Sequence, residues 1–423
     1  MRLIVAALIV LLQLAGGTSY AQQPLTPEES FPTSLHAIRP GKAHFYSAQH
    51  GGFEQLTGVP MSALPCTACH APTKADGTPI DNATYQPDCA DCHKQPGDKV
   101  ADSVCLGCHS RQGLERTRFP DDVHLAAGLT CTSCHSEREM HGDGTSYVSQ
   151  LDHGAMDTKC QNCHKGLVKN TAHTVHDKSL DCSACHAQSV ITCNDCHFDS
   201  QVAGGGRRYY TPAASGFTFL LRREGSGKIH TGTMQTLVYK DKSFVVFAPY
   251  TAHSVTSKAR PCADCHDNAN IRAYSATGKM AITHWDASAN ELTTITGVVP
   301  VPPDWQTAFT FDHVTYTGDP ANPVTDPNAW TFAKSGTDLR QMLFAEPLTA
   351  EQMAKLKSPE PTRWGTVTAP FTGGASGGGG CTVGGNGPVD PTLPALLATA
   401  LAALGLRRRT ARQRRFPADE SDL

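Results

Sequence analysis

The hydrophobic pattern changes near residue 204. Downstream of it, short apolar runs rich in aromatic and β-branched residues alternate with turn residues, as buried or half-buried strands do. Phe217-Thr218-Phe219-Leu220-Leu221 reads as a strand. Thr236–Tyr239 and Ser243–Phe247 read as a hairpin closed by Lys240-Asp241-Lys242. Leu292–Val301 and Phe309–Tyr316 are further β-like runs, with loops at Pro300–Pro303 and Pro320–Pro327. All four tryptophans (Trp285, Trp305, Trp330 and Trp364) lie in this half. Upstream, Cys89–Lys165 is rich in Gly, Asp, Ser and Thr and poor in aromatics, which predicts turns and short helices with little sheet. Gly204-Gly205-Gly206 marks the break.

The polar half has a different organising feature. Cys-x-x-Cys-His occurs eight times and takes up sixteen of the seventeen cysteines. The copies are Cys66/Cys69/His70, Cys89/Cys92/His93, Cys105/Cys108/His109, Cys131/Cys134/His135, Cys160/Cys163/His164, Cys182/Cys185/His186, Cys193/Cys196/His197 and Cys262/Cys265/His266. This spacing is the attachment motif of c-type haem. On one helical turn, residues i, i+3 and i+4 share a face. Both thiols can then bond the haem edge while the histidine meets the iron. Zinc or disulfide use of the cysteines does not require a histidine after every second one. The expected cofactors are eight covalently bound haem c groups.

Seven motifs fall between Cys66 and His197, too little chain per motif for an aliphatic core. The expected fold is therefore mostly irregular and α. It is a haem-cored array with few short helices, plus a smaller β-containing C-terminal region. Residues 22–203 would form a seven-haem domain, and residues 204–371 a β-containing domain with the eighth haem. Only six residues separate His186 from Cys193, so those two haems should touch.

Each iron has a second axial position, and twelve histidines lie outside the motifs to fill eight of them. His44 and His50 would serve the first haems. His124, His153, His176 and His253 each precede a motif by a few residues, so one local loop could ligate one iron and anchor the next. His173 and His176 are spaced i, i+3 and could serve two adjacent haems. His141 follows a motif at a turn. His36, His230, His284 and His313 are reserves.

Met1–Ala21 reads as a secretory signal: Arg2, the apolar stretch Leu3–Leu14, then Ser19-Tyr20-Ala21 at the cleavage site. An uncleaved anchor is the alternative. The formal charge of -3 becomes more negative once haem propionates are counted. No basic stripe suggests nucleic-acid binding; the one dense basic cluster is Arg407–Arg415. Residues 372–423 form a glycine-rich linker with Cys381, the apolar run Leu393–Leu406 and that cluster. Gly379-Gly380-Cys381-Thr382 with Asp390-Pro391-Thr392-Leu393-Pro394 resembles C-terminal sorting signals of the JDVT-CTERM type. That resemblance implies removal of the tail and surface attachment through Cys381; a plain membrane tether is the alternative.

From Cys66 to His266 the chain resembles the multihaem cytochromes c of anaerobic, metal-respiring bacteria. The resemblance implies an exported electron-transfer protein at the periplasm or cell surface, with mostly bis-histidine irons. Its partners would be other redox proteins: cytochromes, quinol-linked donors, and outer-membrane or extracellular acceptors. Two alternatives stay open. One is an octahaem redox enzyme of the hydroxylamine, nitrite or tetrathionate type with one open iron. Its best candidate is the haem at Cys262, near His253, Tyr250, Lys258 and Arg260. The other is a filament-forming conductive cytochrome.

Overall fold

A computed structural model describes residues 24–64, 73–81, 84–167, 170–204, 210–321 and 327–357. The expected signal segment Met1–Ala21, the first motif (Cys66, Cys69, His70), Trp364 and the whole tail with Cys381 lie outside the described residues. All described residues fall within one compact unit, Met1–Cys381.

From Pro27 to His186 the chain folds as short helices and single turns, the longest being Ser110–Arg118. They start where short polar side chains cap the first free N–H groups: Ser34, Asp122, Ser136 and Asn170 each accept such a bond. They stop early because no long apolar face exists to extend them. Between Thr73 and His186, Ala155 and Ala184 are the only buried apolar side chains among the described residues. Protein atoms alone give this stretch almost no core.

The sheet-rich region has a conventional core. Strands β1 (Val190–Asn194), β3 (Thr211–Arg223), β4 (Ile229–Tyr239) and β5 (Lys242–Pro249) lie side by side in that order, followed by Leu339–Met342. β2 (Cys196–His197) pairs with β4, and Gly297–Pro300 and Ala345–Glu346 pair with β3. β3, β4 and β5 run antiparallel, with Phe219 opposite Gly232 and Met234 opposite Phe247. The expected hairpin forms; Lys240 takes the left-handed conformation that closes it (φ 55°).

Both faces of this sheet are buried, and strand periodicity assigns each residue its side. In β5, Val245 and Phe247 join Phe217, Phe219, Leu221, Met234, Trp305, Phe309 and Phe311. Phe244 and Val246 point the other way, towards Phe45, Phe53, Met61, Leu64, Phe198 and Leu237. Burying each such side chain contributes about 1.5–3 kcal/mol. Two details differ from the reading of the sequence. The sheet begins at Val190, before the glycine break, so the seventh motif belongs to it. The leading segment also packs its aromatics onto the sheet, and Gln341 Nε2 donates to the carbonyls of Phe45 (2.6 Å) and His50 (2.9 Å).

Candidate metal centres

Five of the described motifs close the same helical turn. The backbone N–H of the motif histidine donates to the carbonyl of the first cysteine: His93 to Cys89 (2.9 Å), His109 to Cys105 (2.9 Å), His135 to Cys131 (3.0 Å), His164 to Cys160 (3.0 Å) and His266 to Cys262 (2.8 Å). A sixth, Cys182–His186, is itself a helix, capped by Asp181. The turn puts both thiols and the imidazole on one side, as attachment requires. The third motif shows this on a longer element. Cys105 and Cys108 lie one turn apart on the helix Asp102–Cys108, both half-buried, and His109 caps the helix at its C-terminal end.

Beside five of these motifs a second imidazole faces the first. Ring centroids are 6.1 Å apart for His93 and His141, 6.2 Å for His109 and His36, and 6.2 Å for His164 and His124. They are 6.4 Å apart for His186 and His173 and 6.4 Å for His266 and His176. Stacked rings would stand closer, and hydrogen-bonded ones would meet at their edges. Two metal–nitrogen bonds of about 2.0 Å plus the half-depths of two rings come to roughly 6 Å, the span that one six-coordinate iron fills.

The ring nitrogens are aimed accordingly. His93 Nδ1–H donates to the Asp98 carbonyl (2.9 Å), His186 to Thr256 (3.0 Å), His176 to Ala172 (3.0 Å) and His266 to Lys355 (3.2 Å). Tying Nδ1 to a carbonyl leaves the Nε2 lone pair for metal. His36 and His141 each bury an Nδ1 that has no hydrogen-bond partner among the described residues. Burial holds His36 below the usual imidazole range, and His109 adds to the effect; burial likewise lowers His176. The neutral form so favoured is the one that ligates. No group of three or more His, Cys, Asp and Glu converges among the described residues, so the imidazoles come as pairs and not as bare-ion cages. The residues present fit haem.

The motifs also neighbour one another. Cys92, raised first by burial, is raised further by Cys105, and Cys134, likewise raised by burial, by Cys163. The Cys131 thiol is pushed up to about 12 by burial and by Asp102, whose carboxylate accepts the Cys131 N–H (2.9 Å). Cys160 and Cys182 hydrogen-bond, which raises Cys160 and lowers Cys182. Cys265 is raised to about 12 by burial, with Arg260 opposing and Cys185 adding. Arg260 joins the sixth motif to the eighth: its Nε donates to Ala184 (2.9 Å), its Nη2 to Ala187, and its backbone N–H to Cys185 (2.9 Å). Helix Thr171–His176 carries both His173 and His176, and so serves two adjacent sites.

The remaining histidines are placed as follows. His44 and His50 face each other at 4.1 Å, too close for metal between them, and His50 Nδ1–H donates to the His44 carbonyl (2.8 Å). His153 is exposed. His253 holds Nδ1 3.0 Å from the buried carboxylate of Glu115. His135 does the same with Glu139 (2.7 Å), and no second imidazole stands as near to it as in the five pairs among the described residues. His230 lies near Asp181, and His284 is exposed beside Asp312. His313 is fully buried, with Nδ1 2.8 Å from Asp195 and Nε2 3.1 Å from Thr337, so both its nitrogens are taken. Sequence reading had placed His36 among the reserves; only the fold brings it opposite His109. At the Cys262 motif the facing ring is His176 and not the nearer-in-sequence His253. Tyr250 there is bonded to Glu115 (2.8 Å) and Arg260 to carbonyls, so neither is poised over an open position. Cys193, Cys196 and His197 depart from the pattern: they lie in β1 and β2, and His197 is flanked by Tyr316 and Trp330.

Proteins similar to this chain are c-type cytochromes, several of them multihaem. The particular relatives are the multihaem cytochrome MtrA of Shewanella baltica, 27% identical over 33% of this chain and 40% of its own length, the polyhaem cytochrome OmcB of Geobacter sulfurreducens, 25% identical over 45% and 23%, and the c-type cytochrome NrfB of Escherichia coli, 27% identical over 25% and 66%. The chain thus spans less than half the length of the first two relatives. The crystal structure of an octahaem cytochrome c from Shewanella oneidensis aligns with 41% of this chain and 59% of its own, at a TM-score of 0.28 and 15% identity. No protein-family model matches.

Proposed function

We propose that this chain is an exported multihaem c-type cytochrome that relays electrons between redox proteins in anaerobic or extracellular respiration. The supporting observation is the set of five facing imidazole pairs at 6.1–6.4 Å, each containing a motif histidine. Haem iron supplies reversible one-electron Fe(III)/Fe(II) chemistry. The chain's own residues do the rest. Cysteine thiols fix each ring plane. At the five paired sites the two facing imidazoles would hold the iron from both sides and leave no place for a substrate. Shared elements, the Thr171–His176 helix and the Arg260 clamp, hold neighbouring sites together, and electronic coupling decays steeply with distance. The near absence of aliphatic core between Thr73 and His186 supports a core made of haem. Eight motifs set the ceiling on haem number, and the helical turn supports attachment at six.

Donor and acceptor would be other redox proteins, such as quinol-linked donors and outer-membrane or extracellular acceptors. The leader and the Cys381 tail would carry the protein to the periplasm or cell surface and hold it there. No helix among the described residues is long and apolar enough to cross a membrane. The enzyme reading keeps one foothold, the unpaired aspect of His135. Electron paramagnetic resonance of the oxidised holoprotein decides between them. All irons should be low-spin. A high-spin fraction that shifts on adding nitrite, hydroxylamine or tetrathionate would overturn the relay.

A further inference from the structure

The seventh motif, Cys193-Asn194-Asp195-Cys196-His197, has the sequence of a haem site and the structure of a sheet corner. The other described motifs close a helical turn; this one does not. Cys193 lies in β1, Cys196 and His197 form β2, and Asp195 between them takes the left-handed conformation (φ 44°). β2 pairs in parallel with β4, Cys196 beside Leu237 and His197 beside Val238. The helical face that would present both thiols together is absent from this segment. Cys196 is buried in the cluster of Phe53, Phe198, Leu237 and Phe244.

His197 sits in a closed setting. The residue is 4% exposed. Nδ1 stands 3.0 Å from Ser200 Oγ and Nε2 3.7 Å from Asp199 Oδ2. Its ring neighbours are Tyr316 at 5.4 Å and Trp330 at 6.3 Å. At five other motifs the facing ring is imidazole.

The middle of the motif is committed to the fold. Asp195 is 1% exposed and its carboxylate is fully bonded. Oδ1 accepts from Thr236 Oγ1 (2.8 Å) and lies 2.8 Å from His313 Nδ1. Oδ2 accepts the Val314 N–H (2.7 Å). The Asp195 N–H donates to Thr236 Oγ1 (2.6 Å). Asn194 donates through Nδ2 to Thr294 Oγ1 (2.5 Å), and its carbonyl accepts the Tyr210 N–H (3.0 Å). The main sheet, the Asp312–Tyr316 strand and the Glu291–Thr294 strand meet here. Winding this segment into the helical turn that presents both thiols would break these bonds in a buried site and leave polar groups unsatisfied.

We infer that Cys193–His197 carries no haem and serves as the structural joint of the sheet, so that the holoprotein holds no more than seven haems. This rests on the haem reading of the other motifs, and the test separates the two. Trypsin should release Ser179–Arg207, which carries the sixth and seventh motifs together. From purified holoprotein, mass spectrometry of that peptide should find one haem, on Cys182 and Cys185, with Cys193 and Cys196 alkylated after reduction and denaturation. Haem per chain, from the pyridine haemochrome and amino-acid analysis, should be seven. Two haems on the peptide, or eight per chain, would overturn the inference. A peptide with none would instead sink the haem reading itself. Asp195→Asn should lower the melting temperature and leave the haem count unchanged; loss of one haem per folded chain would count against the inference.

Discussion

An imidazole offers iron one nitrogen, so the partner of its other nitrogen sets both its aim and its basicity. Four of the facing rings, His93, His176, His186 and His266, use a backbone carbonyl. His135 uses the carboxylate of Glu139, 2.7 Å away, which also accepts the N–H groups of Asp157 (2.7 Å) and Thr158 (2.6 Å). Burial alone would raise this carboxyl, but hydrogen bonds from His135, Asp157 and Thr158 outweigh it and hold it down at about 2. A negative partner makes His135 the more basic ligand and favours Fe(III). Glu139→Gln should therefore raise the potential of the haem at Cys131, by about 59 mV for each tenfold loss of that preference. A redox titration resolving one shifted centre would check it; no shift would show that the carboxylate does not act on the iron. The same group gives a pH dependence. Its folded pKa lies below the unfolded value of 4.5, so its stabilisation is present above 4.5 and is lost as pH falls from there towards 2. In Glu139→Gln that part of the acid sensitivity should disappear from the melting curves.

At the scale of elements, the sheet and the helical turns obey different rules. The strands were legible because Phe244, Val245, Val246 and Phe247 alternate between two buried faces, and period two survives any packing that covers both. β4 needs glycine where its backbone approaches β3 and β5. A Cβ on Gly232 would stand 2.5 Å from Leu221 Cδ2 and 3.1 Å from the Ala248 carbonyl. Gly232→Ala should cost about 1–3 kcal/mol through overpacking, read as a lower melting temperature with haem content unchanged. An unaltered melting temperature would mean the hairpin relaxes freely. The short helices had no such signal. Thr171–His176 exists because Asn170 caps it and because its histidines face His186 and His266.

At the scale of the whole molecule, the sites follow one another from the Cys89 motif to the Cys182 motif and then to Cys262. Two imidazoles on an iron, with solvent-exposed propionates, would favour the oxidised state. The haems should accordingly reduce as a low-potential group: dithionite should reduce the holoprotein fully, while ascorbate should leave most of it oxidised. Full reduction by ascorbate, followed in the visible spectrum, would remove the fit to anaerobic respiration.

The sequence by itself determined the chemistry. Cys-x-x-Cys-His is local, and one helical turn suffices to present it, so the turn seen at six described motifs could be expected without coordinates. It also determined the hairpin of β4 and β5, whose partners are neighbours in the chain. Only the tertiary structure decided the pairs. His36 meets His109, and His141 reaches back to His93, across separations along which nothing in the sequence marks a partner. The same holds for the seventh motif. Its five residues match the others, but Thr236, His313, Val314 and Phe244 arrive from later strands and turn it into a buried corner. A local motif states what a segment can bind; the long-range contacts that bury it settle whether the required shape is ever formed.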